Sequence, residues 1–221
     1  IVIRNATAGF NLASSFLEPV KVDNYELGWK GDFSNFTSSL AVFHSTSDLG
    51  GVQSFNNGLI LARTKEKISG VEATLDYLDD NNVWGSGGSV TWMKGRETPQ
   101  NTNVEQDMTG FRIPPLKLTG YISYSPTDTW TNRIQATYFG AQDYRLNGVH
   151  GRGRYDVKSY TTADLLSSFV INPKDNVTIG IENMFNRKYY PLYSQLMRNS
   201  NNTSHLLASG ITLKMSYSHK W

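Results

Sequence analysis

The sequence predicts an all-β protein built as an antiparallel transmembrane β-barrel. Three observations predict it. Apolar and polar residues alternate along nearly the whole chain. The alternating runs are roughly ten residues long, the length that a tilted strand needs to cross a bilayer. The connectors between them are long and short by turns, the layout of a barrel with tight turns at one rim and large loops at the other.

The elements follow in order. A partial strand is expected at residues 1–4. Next, Tyr25, Leu27 and Trp29 oppose Asn24, Glu26 and Lys30, and Phe36, Leu40 and Val42 oppose Thr37 and Ser39. Val71, Ala73, Leu75 and Tyr77 oppose Glu72, Thr74 and Asp76, and Val90 and Trp92 flank Thr91. Leu116, Leu118, Ile122 and Tyr124 oppose Lys117, Thr119, Tyr121 and Ser123. Ile134, Ala136 and Tyr138 oppose Arg133, Gln135 and Thr137. Ala163, Leu165, Phe169 and Ile171 oppose Thr162, Asp164 and Ser168, and Val177, Ile179 and Ile181 oppose Thr178 and Glu182. The last run, ITLKMSYSHKW, alternates without a slip to Trp221.

The short connectors are expected at 31–34, 79–82, 125–128 and 172–175, and the long ones at 5–20, 47–67, 95–112, 142–156 and 188–206. A β-sandwich explains alternation and short turns, but not strands of this length or the strict alternation of connectors. The apolar face is expected to meet hydrocarbon and the Thr/Ser/Lys/Glu face a wet lumen. An open sheet edge has no water to satisfy it in lipid, so the sheet is expected to close, either alone or within a wider barrel. A last strand ending at the short-turn rim puts Trp221 and Tyr217 in an interfacial aromatic girdle.

Composition narrows the function classes. The 221 residues contain no Cys, which excludes a disulfide framework and a thiolate metal site. Twenty-one basic residues balance 19 acidic ones, and the net charge of +2 does not argue for nucleic acid. The mean hydropathy is −0.42, and no apolar run of the ~18 residues a spanning helix needs occurs. Neither fact excludes a barrel, whose apolar band occupies alternate residues. No signal peptide is visible at the first residues, which reads either as a signal removed or as a piece of a larger chain. His44, His150, His205 and His219 show no metal-ligand spacing, and no phosphate loop or nucleophile elbow occurs.

Five stretches resemble, in order, the C-terminal part of TonB-dependent outer-membrane siderophore receptors: EPVKVDNYELGWKG (18–31), SGVEATLDY (69–77), RIPPLKLTGYISYSP (112–126), GIENMFNRKYY (180–190) and the terminal strand. Met184 stands where Leu is usual, and Trp221 where Phe is commoner. Within the family, YYPLYSQLMRNSNNTSH (189–205) and FGAQDYRLNGV (139–149) look most like ferric aerobactin receptors, which take up a citrate-based hydroxamate siderophore. The resemblance implies a barrel of roughly 22 strands around a plug, of which this chain would supply about the last ten. It implies no enzyme, no directly bound cofactor, and a ferric siderophore as the transported ligand. It places the protein in the outer membrane of a Gram-negative bacterium, against lipid and lipopolysaccharide. TonB would engage a region outside this chain, as would the plug and the remaining strands. A small self-closed barrel acting as protease or adhesin is the alternative; Asp143 with His150, or Asp107 with His205, would be its acid/base pairs.

A receptor for an iron chelate must recognise a bulky, usually anionic shell, which calls for Arg and Lys on carboxylates and rings on the organic part. The expected ligand contacts are Tyr144, Arg145, His150, Arg152 and Arg154 on the 142–156 loop, where Gly148, Gly151 and Gly153 allow bending. Tyr193, Gln195 and Arg198 follow on the 189–205 loop, beside Tyr189 and Tyr190. The alternatives are a basic loop against lipopolysaccharide phosphates for the first, and a continuation of the aromatic belt for the second. Arg96 and Arg112 read as solvated charges. Lys117, Arg133 and Lys214 are expected on the lumen wall, paired with plug acids or with Glu182 and Asp164.

Overall fold

The computed structural model describes residues 21–55, 59–99, 103–197 and 206–221. The expected loop at 5–20 and the partial strand at 1–4 lie outside the described residues. In chain order the elements are β1 (Asp23–Phe33), β2 (Phe36–Phe55), β3 (Leu59–Leu78), β4 (Trp84–Pro99), β5 (Gln106–Asp107) and β6 (Lys117–Thr127). There follow β7 (Trp130–Phe139), β8 (Gln142–Asp143), β9 (Asp156–Val157), β10 (Tyr160–Asn172), β11 (Asp175–Glu182), α1 (Leu192–Met197) and β12 (Thr212–His219).

Nine long strands pair antiparallel with their sequential neighbours, in the order β1-β2-β3-β4-β6-β7-β10-β11-β12. β5 adds two residues against β4, and β8 pairs only with β9. Among the described residues the sheet does not close on itself: β1 and β12 each have one neighbour. A wall of this form is an arc, and its edge strands leave a row of main-chain groups that hydrocarbon cannot satisfy.

One row of facing residues crosses all nine strands: Phe33, Phe36, Tyr77, Ser86, Ile122, Ile134, Leu165, Ile181 and Leu213. One residue away, the opposite face carries Asp32, Thr37, Asp76, Gly87, Tyr121, Gln135 and Asp164. Successive residues of a strand point to opposite faces, so this register gives the wall one apolar and one polar side. The apolar side is the exposed one: Ile122 is 60% exposed and Leu213 72%, whereas Tyr121 and Gln135 are partly covered on the polar side. A protein in water buries such residues. Here hydrocarbon covers them, and the polar face lines the lumen.

The polar face is bonded across strands. Ser39 and Thr74 share a hydrogen bond of 2.7 Å, and Ser89 and Thr119 one of 2.5 Å. Tyr121 on β6 reaches over β4 and donates to Asp76 on β3 at 2.5 Å. Gly87 makes that reach possible, because a Cβ there would collide with both side chains.

Aromatic rings gather on the apolar side toward the short turns. Trp84 pairs with Tyr124 (4.5 Å between ring centres), Phe36 with Tyr77 (4.8 Å) and Trp130 with Phe169 (5.3 Å). Tyr217 and Trp221 lie at this same rim. The Tyr217 hydroxyl donates to Asp175 at 2.6 Å, the His219 ring meets Trp221 edge-on at 4.9 Å, and the Lys220 amide donates to the Lys174 carbonyl.

Three expectations are corrected. Residues 47–67 do not form a long loop: β2 and β3 go on pairing from Gly50↔Thr64 to Phe55↔Leu59, after a register shift beyond Ser47. Main-chain pairing is independent of side-chain type, so the sequence pattern did not mark this extension. The first short turn lies at Ser34–Asn35 rather than 31–34, with Phe33 directly opposite Phe36. The 188–206 connector carries a short helix, α1, which buries Gln195 and Leu196.

Placing a cation in the middle of the apolar row tests the face assignment. Ile134→Arg is expected to destabilise the barrel by about 2–4 kcal/mol, the cost of Arg at the bilayer midplane. Gln135→Arg, one residue away on the lumen side, is expected to cost far less. Heat-modifiable gel mobility of the membrane-embedded protein would report both.

Candidate ligand-facing surface at the long-loop end

The long connectors fold onto one another above the strands. Tyr144, Val157 and Leu196 form a buried cluster with Leu192 packed against it, and Met108 and Ile113 are buried nearby. Buried Tyr144 donates from its hydroxyl to the Ile113 carbonyl at 2.7 Å. The Gly110 amide donates to the Gly153 carbonyl, and the Gly153 amide to the Leu196 carbonyl. Gly153 has a left-handed backbone (φ +70°), and a Cβ there would strike the Phe111 ring. Three connectors, distant in sequence, thus pack as one body.

An ionic lattice holds their inner side. Arg112 bonds Glu66 at 2.7 Å and Glu97 at 3.3 Å. Arg154 bonds Glu97 at 3.0 Å and the Asp107 carbonyl at 2.8 Å. Glu97 is buried (8% exposed), and these two guanidinium groups and the Gln106 side-chain amide (3.0 Å) partner its carboxylate. On the flank, Lys67 and Arg96 share Glu105 at 3.0 and 3.1 Å, and Arg96 also meets Asp107 at 3.5 Å.

The 142–156 connector is a small twisted ribbon. Leu146 bridges Val149 across Asn147 and Gly148, both with positive φ, the signature of a tight primed turn. Arg145 grips Asp143 with its Nη2 at 2.7 Å and its Nε at 2.9 Å, while its own amide bonds the same carboxylate. These bonds pull the Asp143 pKa down to about 2. The Asp143 carboxylate is therefore held by Arg145, not kept for His150, whose ring lies 5.1 Å from that of Tyr155.

The expected ligand contacts divide. Arg145, His150, Arg152 and Tyr193 are exposed, and the Tyr193 ring stands 5.6 Å from Phe111. Arg198 lies outside the described residues. Tyr144 and Gln195 are corrections: both are buried, and their polar atoms bond the main chain. Arg154 is a third, since it holds Glu97 and Asp107 together. Arg112, expected as a solvated charge, is a clamp of the same lattice. In each case the residue lies far in sequence from its partner, which no local pattern reveals.

On the lumen wall, Lys214 bonds Glu182 at 2.5 Å, the expected kind of pair. Arg133 instead sits over the Tyr121 ring, its guanidinium carbon 3.6 Å from the ring centre, and donates to Gln135 at 3.0 Å. Lys117 rests over the Phe139 ring at 5.6 Å. Asp164 accepts from the Asn183 amide at 2.8 Å. Three cations passed over by sequence reasoning, Lys158, Arg187 and Lys188, line a shared cavity at the loop end. The run Arg187-Lys188-Tyr189-Tyr190, basic then aromatic a few residues beyond β11, was the signal that could have found two of them.

Two outcomes follow. Glu97→Ala strands Arg112 and Arg154 over a dry contact, and the loss is expected near 3 kcal/mol, the lower end for breaking a buried pair, because Arg112 keeps Glu66. Limited proteolysis of the long loops would show it as faster cutting. Asp143 carries a depressed pKa, so its pairing stabilises the ribbon above the ordinary Asp value and is lost as pH falls through about 2. Arg145→Ala is expected to return the Asp143 carboxyl titration toward the ordinary ~4, read by carbon-13 NMR of labelled Asp.

Comparison with known proteins places this wall and its loops. A family profile described as TonB dependent receptor-like, beta-barrel, matches residues 4–186. The ferric aerobactin receptors of Escherichia coli and Klebsiella pneumoniae are each 33% identical over 189 residues, 86% of this chain and 24% of theirs. The chain therefore spans about a quarter of the length of these curated relatives. Among solved structures, the copper transporter OprC superposes with a TM-score of 0.73 at 15% identity, over 92% of this chain and 32% of its own. The unliganded ferric citrate transporter FecA gives 0.68 at 16% identity, over 90% and 31%. With its register, its open nine-strand wall and its profile match in agreement, the chain belongs to the TonB-dependent receptor-like β-barrel family.

Proposed function

We propose that this chain is the C-terminal stretch of barrel from an outer-membrane receptor that imports a ferric siderophore of the citrate-hydroxamate type. The observation that carries the reading is the 33% identity to ferric aerobactin receptors along 86% of the chain. The open wall supports it, since these nine strands need further strands to satisfy β1 and β12 in a bilayer. Outer-membrane placement rests on the exposed apolar rows and on the Gram-negative relatives.

In this reading the wall does no covalent chemistry. The iron arrives already chelated, and the loops recognise the chelate's charge and shape. Exposed Arg145, His150, Arg152 and Tyr193, together with Arg198, provide cationic and aromatic contacts at the mouth. The lumen face offers a polar, cross-bonded surface against which a plug slides or unfolds. TonB acts through that plug and supplies the energy for release inward.

The test is growth. A Gram-negative strain without its own siderophores or siderophore receptors, given the intact protein that contains this chain, is expected to grow under iron limitation on ferric aerobactin. Growth should stop when TonB is deleted. Growth on a different ferric chelate only would reassign the ligand, and growth on none would overturn the receptor reading.

A further inference from the structure

The cavity bordered by Lys158, Arg187 and Lys188 has a volume of about 460 Å³, within the range of sites that hold a small ligand or one arm of a larger one. Tyr189, Tyr190 and Tyr160 complete its walls. All three cations are exposed, and none forms an ion pair among the described residues. Elsewhere at this end, Arg112, Arg154, Arg145, Arg96 and Lys67 all face carboxylates.

The walls are fixed in advance by two buried amides. The Gln195 side chain accepts from the Lys158 amide at 2.8 Å and donates to the Lys158 carbonyl at 3.0 Å and the Tyr190 carbonyl at 2.9 Å. Asn183 accepts from the Arg187 amide at 2.9 Å and donates to the Arg187 carbonyl at 2.9 Å. Each amide is buried, and each grips the main chain of a cation while leaving its side chain free. A ring column, Phe139–Tyr160–Tyr189 at 4.9 and 4.7 Å, seats the tyrosine wall on the strands. Register puts Phe139 and Tyr160 beside Lys117 on the lumen face, so the cavity belongs to the lumen rather than the lipid side. A separate hollow, also lined by Tyr189, holds Asp164 and Glu182.

We propose that Lys158, Arg187 and Lys188 form a preorganised carboxylate cradle that selects ferric chelates bearing free carboxylates, with the tyrosines packing the adjoining organic arm. The assignment rests on the receptor reading above and names the residues that recognise the carboxylates of its ligand. The cations supply charge-assisted hydrogen bonds, bidentate from Arg187. Rigid walls reduce the ordering cost of binding.

The test uses the intact receptor in detergent, titrated by fluorescence quenching with ferric aerobactin and, separately, with a charge-neutral ferric trihydroxamate. Arg187→Gln with Lys188→Gln is expected to weaken ferric aerobactin binding by about tenfold or more, as loss of a hydrogen bond to a charged group implies. Lys158→Gln should act in the same direction, and the reverse-charge Lys188→Glu more strongly. Arg187→Lys, which keeps the charge but loses the bidentate fork, should fall between the wild type and the Gln variant, and binding to the wild type should fall with added salt. Discrimination against the neutral chelate should shrink in the Gln variants. Wild-type binding with unchanged affinity in folded Gln and Glu variants would overturn the cradle and leave the receptor reading standing. Failure of the wild type to bind any ferric chelate would overturn the receptor reading and the cradle with it.

Discussion

A peptide group in hydrocarbon has no water to turn to, and this constraint organises the rest of the molecule. Every N–H and C=O within the bilayer must meet a neighbouring strand, so the wall is a continuous antiparallel ladder from β1 to β12. Continuity fixes register, and register fixes which side chains share a row. The row from Phe33 to Leu213 is the result: a line across nine strands, apolar except at Ser86, one residue from a polar one. A slip of one residue in any strand would turn its lumen face into lipid.

Beyond the bilayer the constraint relaxes, and other forces take over. β2 and β3 keep pairing to Phe55 and Leu59. The connectors above β4, β7 and β11 are held by a small buried cluster and by charge. Glu97 is the centre of that arrangement, a buried carboxylate between Arg112 and Arg154. Arginines that look like ligand contacts in a loop sequence can be cross-links in the folded loop. Among the described residues, Arg152 on the ribbon and Arg187 beside the Tyr189 cavity form no ion pair, and they are placed to meet an anion.

The lumen wall shows how small residues make room for polar bonding. Gly87 leaves the gap through which Tyr121 reaches Asp76, and the Tyr121 ring then becomes the platform for Arg133. One missing side chain on β4 thus lets β3, β6 and β7 link through a carboxylate, a hydroxyl and a guanidinium. The same wall carries the Lys214–Glu182 pair close to the edge strand.

What the sequence determined by itself was everything with a short period. Alternation over residues 116–124 assigned Ile122 to lipid and Tyr121 to the lumen, because it depends on residues one or two positions apart. The nine strands, their faces and the short rim were legible for that reason. Only the tertiary structure decided which charges are free. Arg154 finds Glu97 from 57 positions away and Gln195 finds Lys158 from 37, distances at which a single sequence carries no periodic signal. Tyr144, Arg154 and Gln195 were therefore drawn toward a ligand by their chemistry and into the loop core by their neighbours. Lys158, Arg187 and Lys188 were left at the strand borders, where the fold gathers them into one cavity.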